Sequence, residues 1–302
     1  MKKCFLLFLL IAALLCGCAA HQPPAQIAAT TLPVYEFTAR LCDGTPLTLT
    51  RLVTEEVSCL HDYSLNVKQV KAAEAAELIV ISGAGLEEFM EEILSGKPAV
   101  DASENIPLIT PEAHSHDHDH GQESEVHHEE DHEGHHHEHD PHIWLSPANA
   151  VMMARNICAG LTAAYPDHAD IFSANLDSLI QELDALYTYG ENTLSSLSCR
   201  ELITFHDGFA YFADAFGLTI LEAVEEESGS EASAKELIHL IEEVEHHQLP
   251  AIFTEKSGSV SAASIIARET GCETYTLDMA MAGNSWFDAM YHNIDTIKEA
   301  LQ

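Results

Sequence analysis

The chain has 302 residues, 46% hydrophobic and 21% charged. That is enough apolar material for two medium-sized lobes with cores of their own, and too much for a disordered protein. Its 49 acidic residues face only 13 Lys and Arg, a formal net charge of -36, which excludes nucleic acid and anionic lipid as electrostatic partners.

The N-terminus opens on Met1-Lys2-Lys3 and an apolar run from Phe5 to Leu15 that is short for a membrane span. It then reads Gly17-Cys18-Ala19-Ala20, a small residue before a cysteine, which resembles a bacterial lipoprotein signal. Residues 1–17 are expected to be removed, leaving Cys18 lipidated. Leu15 is too bulky to make Cys16 the better site. The protein is thus expected outside the cytoplasm, anchored to the cell membrane through lipid on Cys18, with residues 18–26 as a tether.

Ile27 to Thr31 reads as a first strand and Pro33 to Leu41 as the helix after it. Leu47 to Val53 alternates as a second strand, Val67 to Glu77 has helical character, and Leu78 to Ser82 is a continuous apolar run of the kind buried in parallel sheets. Strand and helix alternate, which predicts a parallel sheet with helices on its faces. This N-terminal α/β lobe is assigned residues 27–165.

Within it, residues 113–141 are almost entirely imidazole and carboxylate. His114, His116, His118, His120, His127, His128, His132, His135, His136, His137 and His139 form a flexible string of weak ligands. Imidazole suits Zn²⁺, Cu²⁺ and Ni²⁺ better than Mg²⁺ or Ca²⁺, so the loop is expected to collect a transition metal. Two stretches, His128 to His132 and His132 to His136, match H-E-x-x-H. That motif works on a helix with an apolar back, and this polar, Gly134-interrupted string offers none, so a metalloprotease is rejected and no enzyme activity is expected.

A pattern from Asp167 to Leu197 places Phe172, Leu176, Leu179, Ile180, Leu183, Leu186 and Leu194 at helical spacing behind Pro166. It predicts one long linker helix over 166–197, about 45 Å if continuous, with Gly190 as its weak point. Residues 198–302 form a C-terminal α/β lobe. Its strands are read at Leu202 to Phe205, Leu218 to Leu221, Ala251 to Thr254 and Thr274 to Leu277, its helices at Ala232 to His247 and Ala262 to Thr270. The fold expected is α/β: two lobes, each a parallel sheet flanked by helices, joined by one long helix. The cysteines after the signal have neither C-x-x-C nor zinc-ribbon spacing, and most read as buried thiols.

In open α/β sheets, ligands bind beyond the carboxyl ends of strands. Four residues stand there: His61 after the second strand, His142 in Asp140-Pro141-His142-Ile143-Trp144-Leu145-Ser146-Pro147, His206 after Phe205, and Asp278 after Leu277. Two come from each half of the chain. Three imidazoles and a carboxylate make a tetrahedral set for Zn²⁺, with a cleft between lobes closing over it.

With these residues in view, the chain resembles the zinc-binding solute receptors of bacterial ABC importers, the zinc and manganese branch of the periplasmic binding proteins. The likeness is carried by T-T-L-P-V-Y-E-F after the tether, His61-Asp62-Tyr63, Ser82-Gly83-Ala84-Gly85-Leu86-Glu87, D-P-H-I-W-L, Phe205-His206-Asp207-Gly208-Phe209-Ala210-Tyr211-Phe212 and Ile252-Phe253-Thr254-Glu255. It implies that His61, His142 and His206 bind the ion, that Asp278 is a fourth or outer ligand, and that the His-rich loop gathers zinc. It also implies a membrane permease as partner and a monomeric receptor.

Manganese receptors of this branch usually have a carboxylate where His206 stands, and a third imidazole favours zinc, so Zn²⁺ is expected ahead of Mn²⁺. Leu60 departs from the acidic residue or proline common before the first histidine, and Cys59 beside it reads as a buried thiol. A manganese receptor, a metal store and an adhesin lipoprotein are the alternatives. A store would need the loop without the paired lobes, and an adhesin would need no saturable cleft.

Overall fold

Ile27 and Ala29 serve one apolar cluster and Ala28 another, and all three are fully buried, so the first strand is covered on both faces. That is the environment of a parallel sheet between layers of helix. The computed structural model describes residues 24–57, 60, 63–110, 139–224, 232–256 and 260–302. Residues 1–23 with Cys18, Cys59, His61 and the histidines from His114 to His137 lie outside the described residues.

The N-terminal lobe contains β1 (Ile27–Ala29), α1 (Leu32–Leu41), β2 (Leu49–Arg51), α2 (Val67–Ala75), β3 (Leu78–Ile81), the short α3 (Glu91–Leu94) and β4 (Ala99–Asp101). The strands are all parallel, in the order β2-β1-β3-β4. After the insertion come α4 (Pro147–Ala164), a 3₁₀ turn at Pro166–His168 and the long α5 (Ala169–Leu194). The C-terminal lobe follows with β5 (Glu201–Thr204), α6 (Ala210–Phe216), β6 (Thr219–Ala223), α7 (Ala234–His247), β7 (Ala251–Glu255), α8 (Ser261–Thr270), β8 (Glu273–Leu277) and α9 (Trp286–Leu301). Its sheet repeats the first, parallel and ordered β6-β5-β7-β8.

Local chemistry sets the helix starts. Asn66 and Gln69 form a reciprocal capping box at α2, and Ser233 with Glu236 does the same at α7. At α4, Ser146 accepts the Asn149 N–H and Pro147 takes the first position, so the last two letters of D-P-H-I-W-L-S-P are a helix start. The long α5 lies within the helix read at 166–197, and α4, which was not read as a helix, packs against it. The buried face of α4, Ala150, Met153, Ala154, Ile157, Cys158 and Leu161, has helical spacing. Its small residues gave that face little contrast in sequence.

Gly190 is no hinge: a Cβ there would lie 2.3 Å from Phe216 Cε1 and 3.1 Å from Ile294 Cδ1, so its missing side chain lets α5 approach α6 and α9. One apolar cluster runs from Ile27, Val80 and Phe37 through Leu161, Leu183 and Leu186 to Leu202, Phe253 and Ile294. Both lobes therefore share an uninterrupted core. Smaller clusters line the outer sheet faces, under α2 in one lobe and under α7 and α8 in the other.

Candidate metal centre

Each sheet reverses its strand order between its first and third strands, β1 and β3 or β5 and β7, where α/β sheets open a crevice beyond their carboxyl ends. His206 follows β5 there and is 1% exposed, while Thr204 Oγ1 donates to its carbonyl at 3.1 Å. His142 reaches the same place from the other lobe, at the entry of a 3₁₀ turn (Ile143–Leu145), and is 2% exposed. Their Nε2 atoms lie 3.3 Å apart with the rings perpendicular, the interplanar angle being 90°. Two nitrogens bound at about 2.05 Å to one tetrahedral Zn²⁺ lie about 3.3 Å from each other. Without an ion, the same spacing lets one imidazole donate to the other.

The orientation of His142 has a specific cause. Asp140 Oδ1 accepts the His142 backbone N–H at 2.9 Å and faces Nδ1 at 2.7 Å. A carboxylate accepts, so Nδ1 carries the hydrogen and the lone pair sits on Nε2, toward His206. Trp144 Nε1 then donates to the Met279 carbonyl at 2.8 Å, tying this segment to the residue after Asp278. Both groups are buried, so the bond is protected from competing water.

Asp278 stands one residue past β8, its backbone held by Asn293 of α9 through bonds of 2.8 and 2.7 Å. Oδ1 accepts the Ala280 N–H at 2.8 Å and Oδ2 lies 3.5 Å from Lys256 Nζ. Gly208 separates its loop from the imidazole: a Cβ on Gly208 would meet Met279 Cε at 2.6 Å and His206 Nε2 at 3.1 Å. The loops after β5 and β8 and the D-P-H segment thus converge. Among the described residues His142 and His206 are a pair and not a full shell, since no group of three or more candidate ligands occurs there. Leu60 is fully buried, and the Tyr63 N–H donates to its carbonyl at 3.0 Å.

A buried brace shapes the N-terminal rim. Glu87 Oε1 accepts Thr30 Oγ1 at 2.6 Å and Ser82 N–H at 2.7 Å, and Oε2 accepts Gly83 N–H at 3.0 Å, joining the turns after β1 and β3. Burial pushes this carboxyl up to about 7, against the pull of those bonds. Gly83, at φ 83°, has no room for a side chain, since a Cβ would collide with the Asp101 carboxylate. Asp140, Trp144, Gly208 and Glu87 all lie inside the motifs quoted from sequence, but their roles needed the fold.

The family model described as ZnuA, zinc-uptake complex component A, periplasmic, matches residues 27–300. A putative metal-binding protein of Treponema pallidum (strain Nichols) is 28% identical over 288 residues, covering 93% of this chain and 88% of the relative. The zinc-binding lipoprotein AdcA of Streptococcus pneumoniae serotype 4 (strain TIGR4) is 28% identical over 311 residues, with 99% of this chain aligned to 61% of that protein, so the chain spans under two thirds of it. A crystal structure of ZnuA superposes with a TM-score of 0.76 at 27% identity, covering 92% of this chain and all of that one. A match over residues 27–300, on a fold of two parallel sheets, places this protein in the ZnuA family of zinc-uptake components.

Proposed function

We infer that this protein is an extracytoplasmic receptor that binds one Zn²⁺ with high affinity between its lobes and delivers it to an ABC-type permease. The observation that carries the reading is the 3.3 Å approach of two buried Nε2 atoms from opposite lobes, one of them oriented by a carboxylate. His142 and His206 supply two ligands, His61 the third, and Asp278 the fourth or outer one. A third imidazole in place of a second carboxylate favours zinc over manganese. With Asp278 as fourth ligand no position would stay open for an activated water, which fits a carrier and not a hydrolase. The histidines of 113–141 raise the local zinc concentration near the cleft, and lipid on Cys18 keeps the receptor beside its permease.

The test is competition for zinc against a chromophoric chelator. Wild type is expected to show one tight site and several weak ones. Deletion of residues 114–139 should remove the weak sites and keep the tight one. Loss of the tight site with the loop would overturn the receptor reading in favour of a metal store.

A further inference from the structure

One hydroxyl gathers three chain segments at the neck of the acidic insertion. Tyr211, on α6 of the C-terminal lobe, donates to the Asp140 carbonyl at 2.9 Å and accepts the Ile109 N–H at 2.9 Å. The Asp140 N–H in turn donates to the Ile109 carbonyl at 2.9 Å. Ile109 stands before the His-rich stretch and Asp140 near its end, so the two stems are bonded to each other and to one side chain from the opposite lobe. The phenol is 4% exposed, and burial pushes it up to about 12, so it stays protonated and can keep donating. Asp140 is also the residue that fixes the His142 ring. Tyr211 lies five residues beyond His206, on the helix that continues the His206 loop.

We propose that Tyr211 is a positioning residue for the metal centre: by holding the Asp140 backbone from across the cleft, its hydroxyl keeps the carboxylate that orients His142 in register with His206. This rests on His142 and His206 being zinc ligands. The clasp needs nothing from the histidines of the insertion. It ties the chain before the His-rich stretch to the chain after it, next to the imidazole pair. A hydroxyl bonded to two main-chain groups is suited to this, because it fixes backbone position whatever side chains stand on the stems.

Tyr211→Phe keeps the ring and removes the hydroxyl, and the full mature chain is the material. Zinc affinity is expected to fall about tenfold, the lower end of what outer partners of a ligating histidine contribute. The d–d absorption bands of bound Co²⁺, which report ligand geometry, should shift while the far-UV circular dichroism stays that of wild type. Asp140→Asn should weaken zinc by about 10- to 100-fold. If Tyr211 acts through Asp140, the double variant loses less than the product of the two single losses. Unchanged zinc affinity and an unchanged Co²⁺ spectrum in Tyr211→Phe would overturn the proposal, as would losses that multiply independently. Absence of tight zinc binding in wild type would instead sink the receptor reading itself, so the two failures are distinguishable.

Discussion

His142 Nε2 and His206 Nε2 lie 3.3 Å apart although 64 positions separate the two residues in the chain. Each is delivered by a different lobe, and each ring is almost wholly shielded from solvent. The folds on either side hold the two nitrogens at the separation expected of two ligands on one tetrahedral ion, which is what the proposed function uses.

Removal of either ring should therefore be severe. His142→Ala and His206→Ala are each expected to raise the zinc Kd by at least about 100-fold, since losing a ligand should cost no less than losing an outer partner does. Chelator competition at pH 7.5 measures this, and a wild-type affinity in either variant would remove that histidine from the site.

Gly208→Ala tests the same centre by adding an atom. The new methyl would press on His206 Nε2 from 3.1 Å and on Met279 Cε from 2.6 Å. Zinc affinity should drop by about tenfold or more, as expected when a metal ligand is displaced from its supported position, with little change in secondary structure. Calorimetric titration beside circular dichroism decides it; normal binding would mean that the loop moves aside freely.

Glu87 makes stability depend on pH. Its folded value near 7 lies above the ordinary 4.5, so between those limits the folded chain keeps a proton that the unfolded chain has released. This contribution is full below about pH 4.5, shrinks as pH rises and is gone above about pH 7, a change of about 3 kcal/mol. Glu87→Gln cannot titrate. In urea unfolding, the advantage of wild type over the variant should decline by that amount from pH 4.5 to 8, and a constant difference would show that Glu87 stays ionised when buried.

Gly190→Ala sets helix propensity against space. Alanine gains about 1 kcal/mol in a helix interior, yet its methyl would sit 2.3 Å from Phe216 Cε1, and overpacking typically costs about 1–3 kcal/mol. A thermal midpoint lowered by a few degrees is expected. A raised midpoint would mean that the Phe216 ring yields.

The strands of both lobes were legible because continuous or alternating apolar runs such as Leu78–Ile81 and Ala251–Glu255 leave few other structures open. β4 was not, since Ala99–Asp101 is three residues long and follows a proline. α9 escaped notice as well, although Ser285 caps it and its apolar face repeats at helical spacing. The strand-end rule describes His206, which follows β5, but not His142, which enters from a 3₁₀ turn far beyond β4 and meets His206 only in the fold. It could not reveal Tyr211 or Gly208, whose importance lies in what they touch across the cleft and which look like ordinary helix and turn residues in one dimension.

The apolar cluster that passes without a break from one sheet to the other has a mechanical consequence. A clamshell that swung wide would tear this shared interior open and wet it, which makes large-amplitude gaping costly. On the proposed function, loading and unloading would be small rearrangements of the rim, and heat should melt both halves in a single cooperative event. On that reading, a permease would have to act on individual turns of the rim instead of waiting for the jaws to part.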